Sequence, residues 1–229
     1  MAVLFDIDYV LLTIWDYPLS LAELLGTLFG LWSVWLAARG RVANYPVGLV
    51  NILFFFVIFY QVQMYSDVLL QVYFFIVSLY GWWRWARPRP HEATATHELK
   101  ISTNSPAANL AGLVLIALGV YGLGTLMRSI HLLLPALFPE PAAFPYYDAF
   151  TTVASMAAMY LLARKRLESW VLWVVVDAFC IVLYYLKGIR LISLEYVVFL
   201  FIAAFGLWSW LREYRSYQRP AALAGGVAR

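Results

Sequence analysis

Seven stretches of about twenty mostly apolar residues punctuate this chain, over 20–38, 42–60, 66–86, 107–128, 147–164, 169–187 and 191–211. Roughly twenty such residues carry an α-helix across a bilayer core. In lipid each backbone N–H and C=O must be satisfied inside its own segment, so spans of this length fold as helices. Composition agrees, with 64% of the 229 residues hydrophobic, 18% aromatic and only 13% charged. Soluble domains carry roughly 25% charged residues. The mean hydropathy is +0.76. The expected fold class is an all-α integral membrane protein with seven transmembrane helices.

Basic residues set the expected direction. With the N-terminus outside, the inner side receives Arg39 and Arg41, then Arg84, Arg87, Arg89 and Lys100, then Arg164, Lys165 and Arg166, and finally Arg212, Arg215, Arg219 and Arg229. That is 13 of the 16 Lys and Arg; only Arg128, Lys187 and Arg190 fall outside. Short loops rich in Lys and Arg stay in the cytoplasm, which gives N-out and C-in. The opening "MAVLFDIDYV" has acids where a signal peptide needs basic residues, so no cleavage is expected.

A slide of 125 residues lays 23–85 over 148–210 without a gap and matches 15 of 63 positions, including Thr27/Thr152, Arg39/Arg164, Arg41/Arg166, Tyr60/Tyr185, Gly81/Gly206, Trp83/Trp208 and Trp85/Trp210. Three spans per copy leave the chain on the opposite side, and the fourth brings it back. The copies then run in the same direction, a 3+1+3 arrangement of two parallel three-helix repeats. The expected organisation is an N-terminal flank at 1–19 lying along the interface, a first repeat at 20–86 and a cytoplasmic loop at 87–106. A linking helix at 107–128 and an extracytoplasmic loop at 129–146 lead to the second repeat at 147–212 and a cytoplasmic tail at 213–229. Carriers built from such repeats bind substrate near the midplane between them.

In "WVLWVVVDAFCIVLYYLK" Asp177 falls near the middle of the sixth span. At about 100° per residue, Trp170, Trp173, Asp177 and Tyr184 occupy a sector of about 60°, and Cys180 shares the stripe. A mid-helix Asp costs roughly 2.5–3.5 kcal/mol on insertion scales and must face the bundle or a water-filled cavity. No basic residue shares its depth. Its partner is a neutral donor, a water, a proton or a cationic ligand, and the aromatic neighbours favour a flat cation. The competing reading is an acid hydrogen-bonded within the bundle, with tryptophans as packing.

Other polar side chains carry the same choice. Asn44 and Asn51 share a face of the second span, and Asn51 suits a ligand amide or a bridge between helices. Gly48, between them, suits close helix packing. Gln71 and Ser78 lie on one stripe of the third span. Gln61 and Gln63 fall in an outer loop, Trp82, Trp83 and Trp85 read as an interfacial belt, and Glu195 and Tyr196 occupy the outer turn of the seventh span. Cys180 is the only cysteine, and His91, His97 and His131 sit in scattered loops, so no thiolate cluster or metal site is expected. No phosphate-binding loop and no nucleophile elbow occur. The chain is not expected to be an enzyme, to hold a cofactor or to bind nucleic acid.

Residues 44–85 ("NYPVGLVNILFFFVIFYQVQMYSDVLLQVYFFIVSLYGWWRW"), 144–148 ("FPYYD"), 170–177 ("WVLWVVVD") and 186–199 ("LKGIRLISLEYVVF") resemble the PnuC family of bacterial nicotinamide riboside transporters, and the likeness extends over about 20–211. The resemblance implies a homotrimer in the inner (cytoplasmic) membrane and facilitated diffusion, with a separate cytoplasmic kinase trapping the substrate. It implies a pocket at Asn51, Gln71, Trp173, the site of Asp177, and Tyr196. Nicotinamide riboside carriers often have Asn where Asp177 stands, and related carriers take thiamine or flavins. An anion suits a pyridinium or a thiazolium and disfavours neutral flavin. In this reading Trp173 with Tyr184 or Tyr196 stacks on the ring, Asn51 and Gln71 bond the carboxamide or ribose, and Asp177 faces the positive charge. Gln61, Ser78 and Trp170 are secondary candidates. The alternatives are thiamine transport on the same scaffold, or a non-transporting receptor or assembly protein.

Overall fold

Ser20 starts the first helix, α1 (Leu21–Ala38). Its Oγ accepts from the Glu23 N–H while its own N–H donates to Glu23 Oε2, a capping box. Tyr17 Oη reaches Glu23 Oε1 at 2.7 Å. This fastens to the helix a short antiparallel pair, β1 (Val10–Ile14) and β2 (Tyr17–Ser20). The two strands precede the seven helices as a small N-terminal appendage. Its residues "VLLTI" are β-branched or bulky and exposed, which suits a strand at a membrane surface.

The computed structural model describes residue 5 and residues 9–14, 17–62, 65–94, 97–134, 142–188 and 190–218. Among these, six further helices follow: α2 (Asn44–Gln61), α3 (Tyr65–Ala86), α4 (Pro106–Leu133), α5 (Pro145–Ala163), α6 (Glu168–Leu186) and α7 (Arg190–Gln218). Five of the seven, all except α3 and α5, are long and apolar enough to cross a membrane. Asp67, Gln71, Ser78 and Arg84 dilute the hydropathy of α3, and Asp148, two threonines and Ser155 that of α5.

Two helices outrun their expected ends. α4, capped by Ser105 and opened by Pro106, continues five residues past 128, and α7 takes in the first six residues of the expected tail. In α7 the Tyr217 hydroxyl donates to Glu213 one turn back, which carries the helix through its polar end. The remaining tail, 219–229, lies outside the described residues, as do 135–141 of the outer loop and Gln63.

The principal helix contacts run α1–α2–α3–α5–α6–α7 and back to α1, a closed ring, with α4 leaning on α5 from outside. One end of the ring holds the basic turns and the other holds Glu23, Asp67, Asp148, Lys187 and Glu195. At the basic end, turns 125 residues apart share one geometry. Gly40 N–H bonds Ala37 O at 2.8 Å and Arg41 N–H bonds Leu36 O at 2.9 Å; Lys165 to Leu162 and Arg166 to Leu161 repeat both distances. Gly40 and Lys165 both take the left-handed conformation, with φ of 68° and 53°.

Between these turns lies an aromatic plug. Trp85 Nε1 donates to Leu162 O and Ala163 O, and Trp210 Nε1 donates to Ala37 O, each at 3.2 Å. Each ring takes an edge-on partner from the start of a neighbouring helix: Tyr45 on Trp85 at 5.2 Å, Trp170 on Trp210 at 5.6 Å. Gly81 and Gly206 make this fit, since a Cβ on either would come within 2.8 Å of the Tyr45 or Trp170 ring. Trp82 and Trp83 are exposed as an interfacial belt requires, but Trp85 is buried in this core and does not belong to the belt.

The described residues of the loop, 87–94 and 97–105, pack against the helices. Leu99 and Ile101 join the plug, Ser102 donates its N–H to Lys165 O and accepts from Leu167 N–H of the α5–α6 turn, and Asn104 N–H donates to Glu168 Oε1 at 2.7 Å. Under it sits Lys165, 2% exposed, with Nζ 4.8 Å from the Trp85 ring centre. Burial pushes its ammonium below the ordinary lysine range, opposed more weakly by Glu213 and Glu98. Just below the usual pKa of 10.5 the unfolded chain therefore holds more protons than the folded one, so stability rises with pH there. The unfolding midpoint of the wild type, measured against Lys165→Met, should climb as the pH rises toward the ordinary lysine pKa of 10.5. A flat difference would show that the ammonium is not desolvated.

Candidate functional site

Helix α6 has no strong polar face, so one acid on it decides what it can pack against. Asp177 is 4% exposed. No hydrogen bond or ion pair joins its carboxylate to another described residue. Its oxygens are nonetheless not among the fully enclosed polar atoms left unpaired. The charge faces the bundle interior beside space that a small polar partner can reach, which is where an intramembrane acid has to be.

Around it, Ala154, Val176 and Cys180 form a buried cluster, with Phe150, Trp173, Tyr184 and Tyr196 packed on it. The Tyr184 and Tyr196 rings are stacked, 5.4 Å apart at 11°. Trp173 touches both this cluster and the basic-end plug. The structure thus brings together Trp173, Asp177, Tyr184 and Tyr196, two aromatic platforms and a carboxylate contributed by α6 and α7. Cys180 sits between them, 3% exposed.

The other candidates are placed differently. Asn51 Nδ2 donates to Gly26 O at 2.8 Å and lies against Gly30, so its amide bridges α1 and α2. Gly48 admits Ser33 in the same interface, where a Cβ would come 2.7 Å from the Ser33 hydroxyl. Gln71 is half-buried on α3 and forms no hydrogen bond with another described residue. Ser78 is buried at 2%. Gln61, exposed, donates to Phe5 O at 2.6 Å and ties the N-terminal flank to α2.

Trp170 shares the angular stripe of Asp177 yet belongs to the plug. It is 1% exposed, sealed between Trp210 and Gly206. Its ring packs in the plug and not in the Asp177 cluster. Two turns of helix, about 10 Å, separate it in depth from Asp177.

Lys187 is a site-end residue that sequence reasoning left unassigned. Its Nζ is 2.7 Å from Asp148 Oδ1 and 5.7 Å from the Tyr184 ring centre. The signal was present: Tyr184 and Lys187 are three apart on one helix and therefore neighbours. Glu195 is half-buried against Thr27.

A ring of apolar helices around a buried acid and stacked aromatics defines a multi-pass membrane protein. The chain belongs to the nicotinamide mononucleotide transporter family, whose model matches residues 20–212. It is 36% identical over 215 residues to the nicotinamide riboside transporter PnuC of Escherichia coli K12, covering 87% of this chain and 88% of that one. The riboflavin/roseoflavin transporter RibM of Streptomyces davaonensis is 24% identical over 207 residues, covering 90% and 92%. A crystal structure of the vitamin B3 transporter PnuC shares the fold, with a TM-score of 0.64 and 20% identity over 85% of this chain and 82% of that one.

Proposed function

We propose that this protein carries nicotinamide riboside across the bacterial inner membrane by facilitated diffusion. The observation that carries this is Asp177, a buried acid without a basic partner, set among Trp173, Tyr184 and Tyr196. A pyridinium supplies the missing positive charge and a flat face for the rings. The reading is supported by the family and by the name of the Escherichia coli relative. A mononucleotide would bring a phosphate close to Asp177, where only like charge meets it, so the riboside fits better. Neutral riboflavin, carried by the RibM relative, would leave the acid unpaired.

Asn51 and Gln71 would bond the carboxamide or ribose; for Asn51 this means giving up Gly26 O. All seven helices would span, in a 3+1+3 arrangement with the basic end in the cytoplasm. The matched turns at Gly40 and Lys165 and the excess of basic residues at that end support this. The carrier would work as a homotrimer, and a cytoplasmic kinase would trap the product.

Thiamine also carries a flat cation, so the deciding experiment titrates nicotinamide riboside and thiamine side by side into the purified full chain. Nicotinamide riboside should bind at micromolar Kd or tighter and show saturable uptake in proteoliposomes. Thiamine binding alone would transfer the same scaffold to thiamine. No binding of either, and no saturable uptake, would leave a receptor or assembly role.

A further inference from the structure

Three charged groups at the far end, Asp67, Asp148 and Lys187, lie beyond Asp177 and its aromatic cluster. The Lys187 ammonium is held 2.7 Å from Asp148 Oδ1 and over the Tyr184 ring, 5.7 Å from its centre. Tyr184 is in turn stacked on Tyr196. Asp67, on α3, lies within electrostatic reach of both Asp148 and Lys187. A carboxylate and an aromatic surface already hold a cation at this mouth, and that cation belongs to the protein itself.

Asp177, Cys180, Tyr184 and Lys187 follow at offsets of 0, 3, 7 and 10 along α6. At 100° and 1.5 Å per residue they fall in one sector of about 80°, with the Lys187 backbone about 15 Å from that of Asp177 along the axis. One helix face therefore joins an outer cation position to the inner acid, with stacked tyrosines between them.

We propose that Asp148, with the Tyr184–Tyr196 pair, is an outer capture site for a flat organic cation, and that Lys187 is a tethered competitor occupying it. The inference rests on the reading of the chain as a carrier of a cationic vitamin. An incoming pyridinium displaces the ammonium, takes its place at the carboxylate and ring, and passes along the face to Asp177. Exposed ion pairs and exposed cation–π contacts are each weak, so the ammonium is readily exchanged. Lys187 and Asp148 are themselves part-exposed, at 27% and 41% of their side chains. A neutral ring repays neither lost contact, which favours entry of cations.

Stopped-flow tryptophan fluorescence on the full chain in nanodiscs tests this with nicotinamide riboside as probe. Lys187→Met, close in length but uncharged, should raise the association rate constant by roughly threefold to tenfold and leave dissociation little changed. Lys187→Arg should stay at the wild-type rate, and Asp148→Asn should slow association. Unchanged association in Lys187→Met with a lower melting temperature would make the pair a structural tie and overturn the proposal. Acceleration in Lys187→Ala but not Lys187→Met would make Lys187 a steric plug and overturn it too. If the wild type shows no saturable binding, the carrier reading falls and takes the capture site with it. Normal wild-type binding with insensitive variants sinks the capture site alone.

Discussion

Asp177→Asn should move stability and binding in opposite directions. The side chain keeps its shape and loses its charge. In the absence of ligand that charge is buried at 4% exposure with no hydrogen bond or ion pair to a described residue. An unpaired acid at helix mid-depth costs roughly 2.5–3.5 kcal/mol on insertion scales, and a neutral amide costs less. The variant is therefore expected to unfold later, with a gain of about 1–2 kcal/mol. Nicotinamide riboside binding should weaken by about 2–3 kcal/mol, roughly thirtyfold to 150-fold, because the pyridinium loses its counter-charge in a poorly hydrated setting. Calorimetric titration and a melting curve on the same preparation read both. Unchanged affinity with a lower melting temperature would make Asp177 a packing residue and remove the main support for a cation site. A functional group kept at the expense of stability is the usual trade at binding sites.

Much of this was legible because hydropathy and helical angle are local properties. The seven helices and the buried stripe of α6 follow from apolar run length and a turn of about 100° per residue. Depth is another matter. Trp170 and Trp173 share a stripe, yet only Trp173 reaches the Asp177 cluster, since Trp170 starts the helix and meets Gly206 there. Asn51 could serve a ligand or a helix neighbour equally from sequence. The room left by Gly30 turns its amide to Gly26, and only the packed pair reveals that. Lys165 counted only as one of the basic residues of the inner side. Its counterpart under the 125-residue shift is Gly40, and a lysine at a position that takes positive φ was the one sign of something unusual. Its burial depends on the loop at 87–106 folding over it, a contact far apart in sequence.

The basic-end plug should yield the largest losses of stability. Trp85 and Trp210 are 2% and 0% exposed and their rings lie 5.8 Å apart. Truncating a buried Trp to Ala costs about 3–5 kcal/mol, and each variant here should fall in that range. Trp→Phe keeps an aromatic ring but removes the N–H bond to the opposite turn, for about 0.5–1.5 kcal/mol. Trp85 belongs to α3 and bonds the end of α5; Trp210 belongs to α7 and bonds the end of α1. The two Phe variants should therefore cost the same within about 1 kcal/mol, and the double variant should depart from additivity because the rings touch. Cys180, the sole cysteine and 3% exposed, reports on what such variants open. If the plug closes the inner path, Trp85→Ala and Trp210→Ala should each speed thiol labelling of Cys180 by a polar reagent added at the cytoplasmic side of inside-out vesicles. Nicotinamide riboside should slow that labelling again. Labelling that rises in only one variant would mean that the two turns do not share the closure. Equal rises would mean that opening breaks both bonds together, since neither half can swing away while the other's tryptophan is hydrogen-bonded to its turn.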